Sequence, residues 1–456
     1  MKLELIATAT FGLEALIKRE IETLGYKIVK SEDAKITYLG DERAIVKSNL
    51  WLRCADRVLI KMGEFDAFEF EDLFQKIKGI AWEEWIPIDG NFKVNCSSVK
   101  STLFSIRSCQ SVSEKAIIER LKETYGVDRF EKSGAEYTVK VTLLKDRATV
   151  TLDTSGIGLH KRGYRKNAVT APIKETLAAA MIQLSFWREG RLLIDPCCGS
   201  GTIPIEAAMI GRNIAPGLYR SFACEQWEAI PKKLWQEERR TAMEAIDQDK
   251  QIRIEAYDID PEAIAAAQEN AEEAGVDDCI LFKRMNIEQM EASEPGGIII
   301  TNPPYGERIG GDQETKKLYN KLKSFFKENE TWSLFVITPD IHIERQVFGR
   351  PADRRRKLYN GNIETCFYQF HGKKPPREGD ESRTEQKAEA VKAFRDGERL
   401  QEDGTVKHGT TIKPNQSRPR TNENGPKPRN GRPSESKNRN EQNRRETKNP
   451  SRKTFK

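Results

Sequence analysis

An alternating stretch over residues 2 to 8 predicts a short strand, and Leu13, Leu16, Ile17, Ile21 and Leu24 then recur at helical spacing from Phe11 to a stop at Gly25. Strand-like pieces follow at 26 to 30, 35 to 39 and 42 to 48. From about 55 to 153 the pattern predicts a strand at 57 to 65, a helix at 69 to 78, a strand at 91 to 98 and a long helix at 105 to 124. Two strands, 136 to 143 and 147 to 153, then flank Lys145-Asp146. This order reads as a small α+β module, not a parallel sheet.

From about Pro172 the rhythm changes. Helix 172 to 187, strand 191 to 194, helix from Thr202, strand 252 to 257, helix 261 to 274, strands 279 to 283 and 297 to 301, helix 312 to 328 and strand 332 to 337 follow in turn. Such alternation builds a parallel sheet covered by helices on both faces. Asn360-Gly361, both tolerant of positive φ, predicts a two-residue turn between 355 to 359 and 363 to 370, so an antiparallel hairpin ends this Rossmann-like α/β sheet. Past His371 the apolar content collapses, and from 416 onward Phe455 is the only hydrophobic residue. A segment that buries so little cannot offset its ordering entropy, and residues 374–456 are expected to be a disordered, low-complexity tail.

A chain of 456 residues suggests roughly three domains. Its net charge of +6 is a property of the tail: Gln416 to Lys456 carries 13 Lys and Arg against 4 Asp and Glu, leaving the first 415 residues at −3. Bulk charge therefore does not make the folded part a nucleic-acid binder, and local basic patches would have to. No run approaches the roughly 18 to 20 apolar residues of a membrane span, and Glu4 and Glu14 interrupt the start where a signal peptide would be apolar, so a cytoplasmic protein is expected. Eight cysteines without a Cys-x-x-Cys pair and four scattered histidines predict neither disulfides nor bound metal.

Three motifs fall at the carboxyl ends of predicted strands, where ligands bind in such sheets. Leu192-Leu193-Ile194 runs into Asp195-Pro-Cys197-Cys-Gly199-Ser-Gly201-Thr202. The two glycines permit a tight turn close to a ligand, while an acidic strand tip argues against a phosphate. Pro204 stands where a dinucleotide fingerprint wants glycine. The combination suits a ligand bearing an ammonium and a sulfonium, as in S-adenosylmethionine. On the next strand Asp258 is placed to accept hydrogen bonds from ribose hydroxyls, with Asp260 capping a helix begun by Pro261. Between these motifs, residues 211 to 250 form an insertion rich in Trp, Glu and Arg that either faces the substrate or packs on the helix layer.

The third motif is Thr301-Asn302-Pro303-Pro304-Tyr305-Gly306, a stiff loop because two prolines fix φ. Asn302 Oδ1 and the Pro303 carbonyl can accept from one exocyclic amine of a base, turning its lone pair toward an electrophile, and Tyr305 can stack on the base.

With His160-Lys-Arg-Gly-Tyr-Arg165 and the RKLYNGNIETCFYQF hairpin, these motifs resemble the bacterial large-subunit rRNA guanine-N2 methyltransferase family, class I S-adenosylmethionine-dependent enzymes with an N-terminal THUMP domain. The likeness covers about residues 1 to 373. It implies a ferredoxin-like cap (1–44), a THUMP RNA-binding domain (45–155), a methyltransferase domain (156–373) and the tail (374–456, basic from 416). It implies S-adenosylmethionine held by Asp195, Cys197, Gly199, Gly201, Thr202 and Asp258, with Asn286 at the adenine position, where the family often has an acidic residue. Asn302, Pro303 and Tyr305 take the catalytic role, and 23S rRNA or a large-subunit precursor is the implied partner. A tRNA guanine-N2 enzyme would share every strand-tip motif, as would a DNA adenine-N6 enzyme; a non-catalytic RNA-binding assembly factor would be expected to lose Asp195, Asn302 or Tyr305. Lys161, Arg162, Arg165 and Lys166 are the leading candidates for RNA phosphate contacts, with Lys100, Arg107, Lys115 and Arg120 as further ones and Arg354 to Arg356 as a possible addition.

If the tail tethers RNA electrostatically, removing residues 374–456 will lower RNA affinity at low salt and flatten its salt dependence without changing the methylated nucleotide. Filter binding across a salt series measures this, and identical slopes with and without the tail would leave it an inert extension.

Overall fold

The computed structural model describes residues 2–166, 173–304, 312–374, 399–400 and 406–407. It divides into two compact units, Met1–Pro376 and Arg377–Lys456. Among its described residues the second unit contributes one short antiparallel pair, Arg399–Leu400 with Val406–Lys407. The remainder of the tail expectation lies outside the described residues.

The first unit is built on two seven-stranded mixed sheets. The first takes β1 (Leu3–Thr8), β2 (Lys27–Glu32), β3 (Lys35–Gly40), β4 (Arg57–Asp66), β5 (Asn91–Val99), β6 (Glu136–Leu144) and β7 (Arg147–Asp153), in the order β2-β3-β1-β4-β7-β6-β5. Its helices are α1 (Glu14–Thr23), α2 (Glu42–Trp51), α3 (Phe70–Lys78) and α4 (Ile106–Tyr125). Because β1 pairs with β4 from Leu5↔Ile60 to Thr8↔Arg57, no free edge separates the amino-terminal strands from those that follow. All neighbours are antiparallel except β5 and β6, which run parallel through the α4 crossover.

The segment expected as a strand at 42 to 48 is helix α2. Asp41 caps it by accepting the Ala44 N–H at 2.8 Å, and Ala44, Ile45, Val46, Ser48, Asn49 and Leu50 are all buried. A helix buried on most sides, with Ser48 and Asn49 among its buried residues, shows no clear 3.6-residue apolar period, so a short Ala-Ile-Val run reads equally as a strand. Lys145-Asp146 does form the expected hairpin turn, at φ +52° and +63°, with Leu144 opposite Arg147.

The second sheet comprises β8 (Leu193–Asp195), β9 (Ile254–Asp258), β10 (Ile280–Arg284), β11 (Ile298–Thr301), β12 (Ser333–Thr338), β13 (Arg354–Asn360) and β14 (Ile363–Phe370). The order β10-β9-β8-β11-β12-β14-β13 is parallel through β12 and antiparallel across the closing pair. Helices α5 (Glu175–Leu184), α6 (Thr202–Gly211), α7 (Lys232–Glu244), α8 (Pro261–Ala274) and α9 (Asp312–Glu328) accompany it. Strand order reverses between β8 and β11, which opens a crevice at their carboxyl ends. The closing turn sits one residue later than expected. Asn360 pairs with Ile363, so the turn is Gly361-Asn362, with Gly361 alone at positive φ.

The inserted segment packs against the amino-terminal sheet and clamps the two halves together. Gly217 N–H donates to the Leu50 carbonyl at 2.9 Å and Cys224 N–H to that of Thr154 at 3.1 Å. A side chain at Gly217 would lie 2.6 Å from the Asn49 carbonyl oxygen, so only glycine permits this approach. Trp227, buried, stacks on Tyr137 of β6 at 4.8 Å, meets Trp85 edge-on and donates its indole N–H to the Glu136 carbonyl at 3.0 Å. On α2, Arg43 pairs with Glu237 at 2.7 Å and with Glu238 of α7. A second bridge joins the ends of the unit: Arg356 of β13 donates to the Gly12 carbonyl at 3.0 Å.

Truncating the clamp at Trp227→Ala is expected to cost about 3 to 5 kcal/mol of stability, the range for emptying a buried aromatic site, and Trp227→Phe distinctly less. Urea unfolding checks both; a loss under 1 kcal/mol for the alanine variant would show that the clamp is dispensable.

Candidate active site

The crevice is organised by the tips of β8, β9 and β11. Asp195 ends β8 and is 1% exposed; its Oδ1 accepts from the Thr301 hydroxyl at 2.8 Å and from Cys197 N–H at 3.2 Å. Thr301 ends β11, so this bond ties together the two strands at which the sheet order reverses. Among the described residues no cation faces Asp195. Burial pushes its pKa up to about 7, with the neighbouring Asp258 charge adding to the rise, against the opposing pull of the Thr301 and Cys197 bonds.

The loop after Asp195 is held against β9. Cys198 N–H donates to the Tyr257 carbonyl and Gly199 N–H to Asp258 Oδ2, both at 2.9 Å, while Asp258 Oδ1 accepts from Asp260 N–H at 3.0 Å. Asp260 in turn caps α8 through Glu262 N–H. Gly201 enters α6 at φ +81°, and a Cβ there would lie 3.0 Å from Cβ of Ala267 on α8, so glycine is required both by backbone and by packing. Asn270 of α8 donates to the Ser200 carbonyl at 3.1 Å. Asn286, expected near the cofactor, caps a single helical turn by accepting Glu288 N–H at 2.9 Å. Its neighbour Met285 donates to the Asp258 carbonyl, which brings Asn286 to the same edge of the crevice.

Asn302 follows Thr301 directly. Its Oδ1 is buried and has no hydrogen-bond partner among the described residues, and Pro303 beside it is buried. A buried acceptor left unpaired is costly, and this one stands at the crevice beside the tip of β11. Tyr305 lies outside the described residues.

The 161 to 166 cluster divides. Arg162 is buried: its guanidinium donates to Glu206 at 3.2 Å and to the Leu159 and Arg53 carbonyls at 2.7 and 2.6 Å, so it cannot reach a phosphate. Arg165 is largely withdrawn too, donating to the Thr202 hydroxyl at 2.6 Å and the Ile173 carbonyl at 3.0 Å beside Glu175. Both expectations of RNA contact are corrected, because these arginines answer carboxylates buried in α6 and α5. Lys161 is exposed without an ion pair among the described residues, and Lys166 is exposed and paired with Glu273. Glu206 and Glu175, single carboxylates within otherwise apolar helices, were the available signal: each needs a buried cation. Arg165 thus emerges as a residue that sequence reasoning misassigned, one that positions the first turn after the glycine loop.

Residues 162–369 match the RMKL-like methyltransferase domain, residues 4–59 the RlmL ferredoxin-like domain and residues 67–153 the THUMP domain. YpsC of Bacillus subtilis, provisionally named an RNA methyltransferase, is 47% identical over 378 residues, which cover 82% of this chain and 98% of that protein. The ribosomal RNA large subunit methyltransferase K/L of Syntrophotalea carbinolica is 34% identical over 385 residues, covering 81% of this chain; the chain spans about half that relative's length, 53%. The crystal structure of SMU.472 complexed with SAH superposes with a TM-score of 0.78 at 41% identity, over 82% of this chain and 99% of that one.

Asp195 also makes stability depend on pH. A carboxyl whose folded pKa is raised to about 7 binds a proton that the unfolded chain releases near 4, so stability is lost as pH rises from about 4 to about 7. Asp195→Asn should therefore stabilise the ligand-free protein by about 2 kcal/mol at pH 8 and by little at pH 4.5. Thermal melts at the two pH values test it, and a pH-independent difference would remove the buried charge as the cause.

Proposed function

Because the chain belongs to the THUMP-containing, RlmL-like family of methyltransferases, we propose that it transfers a methyl group from S-adenosylmethionine to the exocyclic N2 of a guanine in RNA, with 23S rRNA as the substrate. The observation that carries this reading is the unpartnered, buried Oδ1 of Asn302, joined through Thr301 to the buried carboxylate of Asp195.

The residues present fit the cofactor. Asp195 and Asp258 bracket the glycine loop and lack an ion pair among the described residues, so they favour a cationic ligand, as an ammonium and a sulfonium would provide. Asp195 would face the cationic end, Asp258 the ribose hydroxyls, Cys197, Gly199, Gly201 and Thr202 the loop side, and Asn286 the adenine. The sulfonium supplies the driving force when bound, by making its methyl carbon electrophilic.

The chain's own part is alignment. Asn302 Oδ1 and the Pro303 carbonyl accept the two N–H groups of the guanine amine and turn its lone pair toward the methyl group. Tyr305 offers a ring for the base to stack on. The amine becomes acidic only after the methyl group has transferred, so no strong general base is needed at the site. Arg165 acts one step removed, fixing the Thr202 hydroxyl and with it the entry to α6. Guanine as the base rests on the resemblance read from the sequence motifs, and rRNA as the substrate is supported by the K/L relatives, which are named as ribosomal RNA large subunit methyltransferases.

Asn302→Ala should leave cofactor affinity within about twofold and slow single-turnover methylation about 100-fold, the scale for misaligning reacting groups. Calorimetry and rapid-quench assays read the two separately. Mass spectrometry of 23S rRNA and tRNA from cells with and without the protein identifies the substrate, and an unchanged 23S N2-methylguanine content would sink the rRNA assignment.

A further inference from the structure

At the carboxyl-terminal ends of β5 and β6 the chain leaves apolar side chains in water. Phe104 is 81% exposed, and Val99, Ile106 and Leu144 beside it are about half exposed. They do not lie on loose segments. Val99 and Leu144 are register partners, Lys145 N–H donates to the Val99 carbonyl at 3.1 Å, and Asp146 N–H donates to the Ser101 hydroxyl at 3.0 Å. The Ser98 hydroxyl holds the Leu103 carbonyl at 2.7 Å, and Phe104 N–H donates to Thr102. The phenyl ring of Phe104 is thus presented outward from a braced rim, and exposed apolar surface of this kind marks a binding site.

Among the described residues, several cations elsewhere in the amino-terminal module are engaged by carboxylates, whereas those around the ring are not. Lys61, Lys78, Lys140, Arg120 and Arg147 are each paired with a carboxylate, and Lys115 lies 3.7 Å from Glu119. Lys100 and Lys145, on the two loops of the rim, and Arg107, in the first turn of α4, have no ion pair among the described residues. Lys100 and Lys145 also occupy left-handed backbone, at φ +51° and +52°, where glycine or asparagine would cost less. The one carboxylate in these loops, Asp146, is turned inward to accept Thr102 N–H.

We propose that this rim seats an unpaired stretch of the RNA substrate, with one base stacked on Phe104 and the flanking phosphates on Lys100, Arg107 and Lys145. The proposal rests on the reading of the substrate as RNA. It selects single-stranded over double-stranded RNA because a duplex keeps its base faces stacked and offers none to an exposed ring, whereas any unstacked base supplies one. Unpaired cations select a polyanion over an apolar protein partner.

The test is fluorescence anisotropy of the full chain with a labelled single-stranded oligouridylate and with an RNA duplex of equal length. Phe104→Ala should weaken single-strand binding about 5- to 100-fold, the scale of losing one base stack, and leave the duplex unaffected, while Phe104→Trp should retain both. Lys100→Asn with Lys145→Asn, chosen because asparagine tolerates left-handed backbone, should flatten the salt slope by about 0.7 for each phosphate lost. Unchanged single-strand affinity in Phe104→Ala would overturn the proposal, as would an equal loss on the duplex. Ultracentrifugation in which Phe104→Ala turns a self-associated chain into monomers would give the rim to a second copy instead. The catalytic reading fails separately: single-strand binding that depends on Phe104 in a chain that methylates no RNA would leave the rim standing and remove the enzyme.

Discussion

A guanidinium and a carboxylate withdrawn from water at a domain junction are tolerable only as a complete set. Either ion alone would cost several kcal/mol, and their attraction offsets this only when the remaining donors and lone pairs are used. Around Arg162 and Glu206 they are. The guanidinium spreads its donors over both Glu206 oxygens and two backbone carbonyls, and the Tyr164 hydroxyl supplies a further bond to Glu206 at 3.2 Å. One of the carbonyls belongs to Arg53, at the entry to β4, and Arg53 itself reaches the Ile214 carbonyl of the insertion at 2.6 Å. The amino-terminal sheet, the linker, α6 and the insertion therefore meet in one polar knot. Apolar faces can slide with modest loss, whereas the Arg162–Glu206 pair keeps its bonds to Leu159, Arg53 and Tyr164 only while these members hold their relative placement.

That placement reaches the crevice through short, stiff links. Glu206 lies on the helix that begins at Thr202, and Arg165, three residues beyond Arg162, bonds the Thr202 side chain. The glycine loop is then fixed from below by α8 and from the side by Asp258. The Asp195–Thr301 bond carries the same frame across to the Asn302 loop. The two arginines of a linker that looked wholly like a nucleic-acid contact are instead part of the frame that relates the amino-terminal sheet to the glycine loop.

What was legible in the sequence follows from how local each determinant is. Asp195, Asp258 and Asn302 could be placed at strand tips because strand, turn and helix start are written in neighbouring residues, and the parallel order followed from alternation alone. The fate of Arg162 and Arg165 depends on Glu206 and Glu175, and in the pair Arg162–Glu206 the partners stand 44 residues apart, beyond any local pattern. Helix α2 was hidden because a segment buried on most sides loses its period. The continuity of the amino-terminal sheet rests on the pairing of β1 with β4, some fifty residues apart in the chain, and no motif announces it. The closing turn slipped by one residue because Asn360-Gly361 and Gly361-Asn362 are both chemically acceptable as a two-residue turn, and the register that pairs Asn360 with Ile363 is not written in the turn residues themselves.

The bond from Arg356 to Gly12 spans 344 residues, and a side chain at Gly12 would come within 3.0 Å of the Lys357 carbonyl oxygen. The start of the chain is finished only by a strand made near the end of the fold. At roughly 5 to 20 residues per second, a ribosome needs tens of seconds between the two. During that interval the face of the first sheet's entry loop that receives β13 stands open on the nascent chain. Synthesis of this protein thus leaves an interval, set by translation speed, between the emergence of Gly12 and that of the strand that covers it.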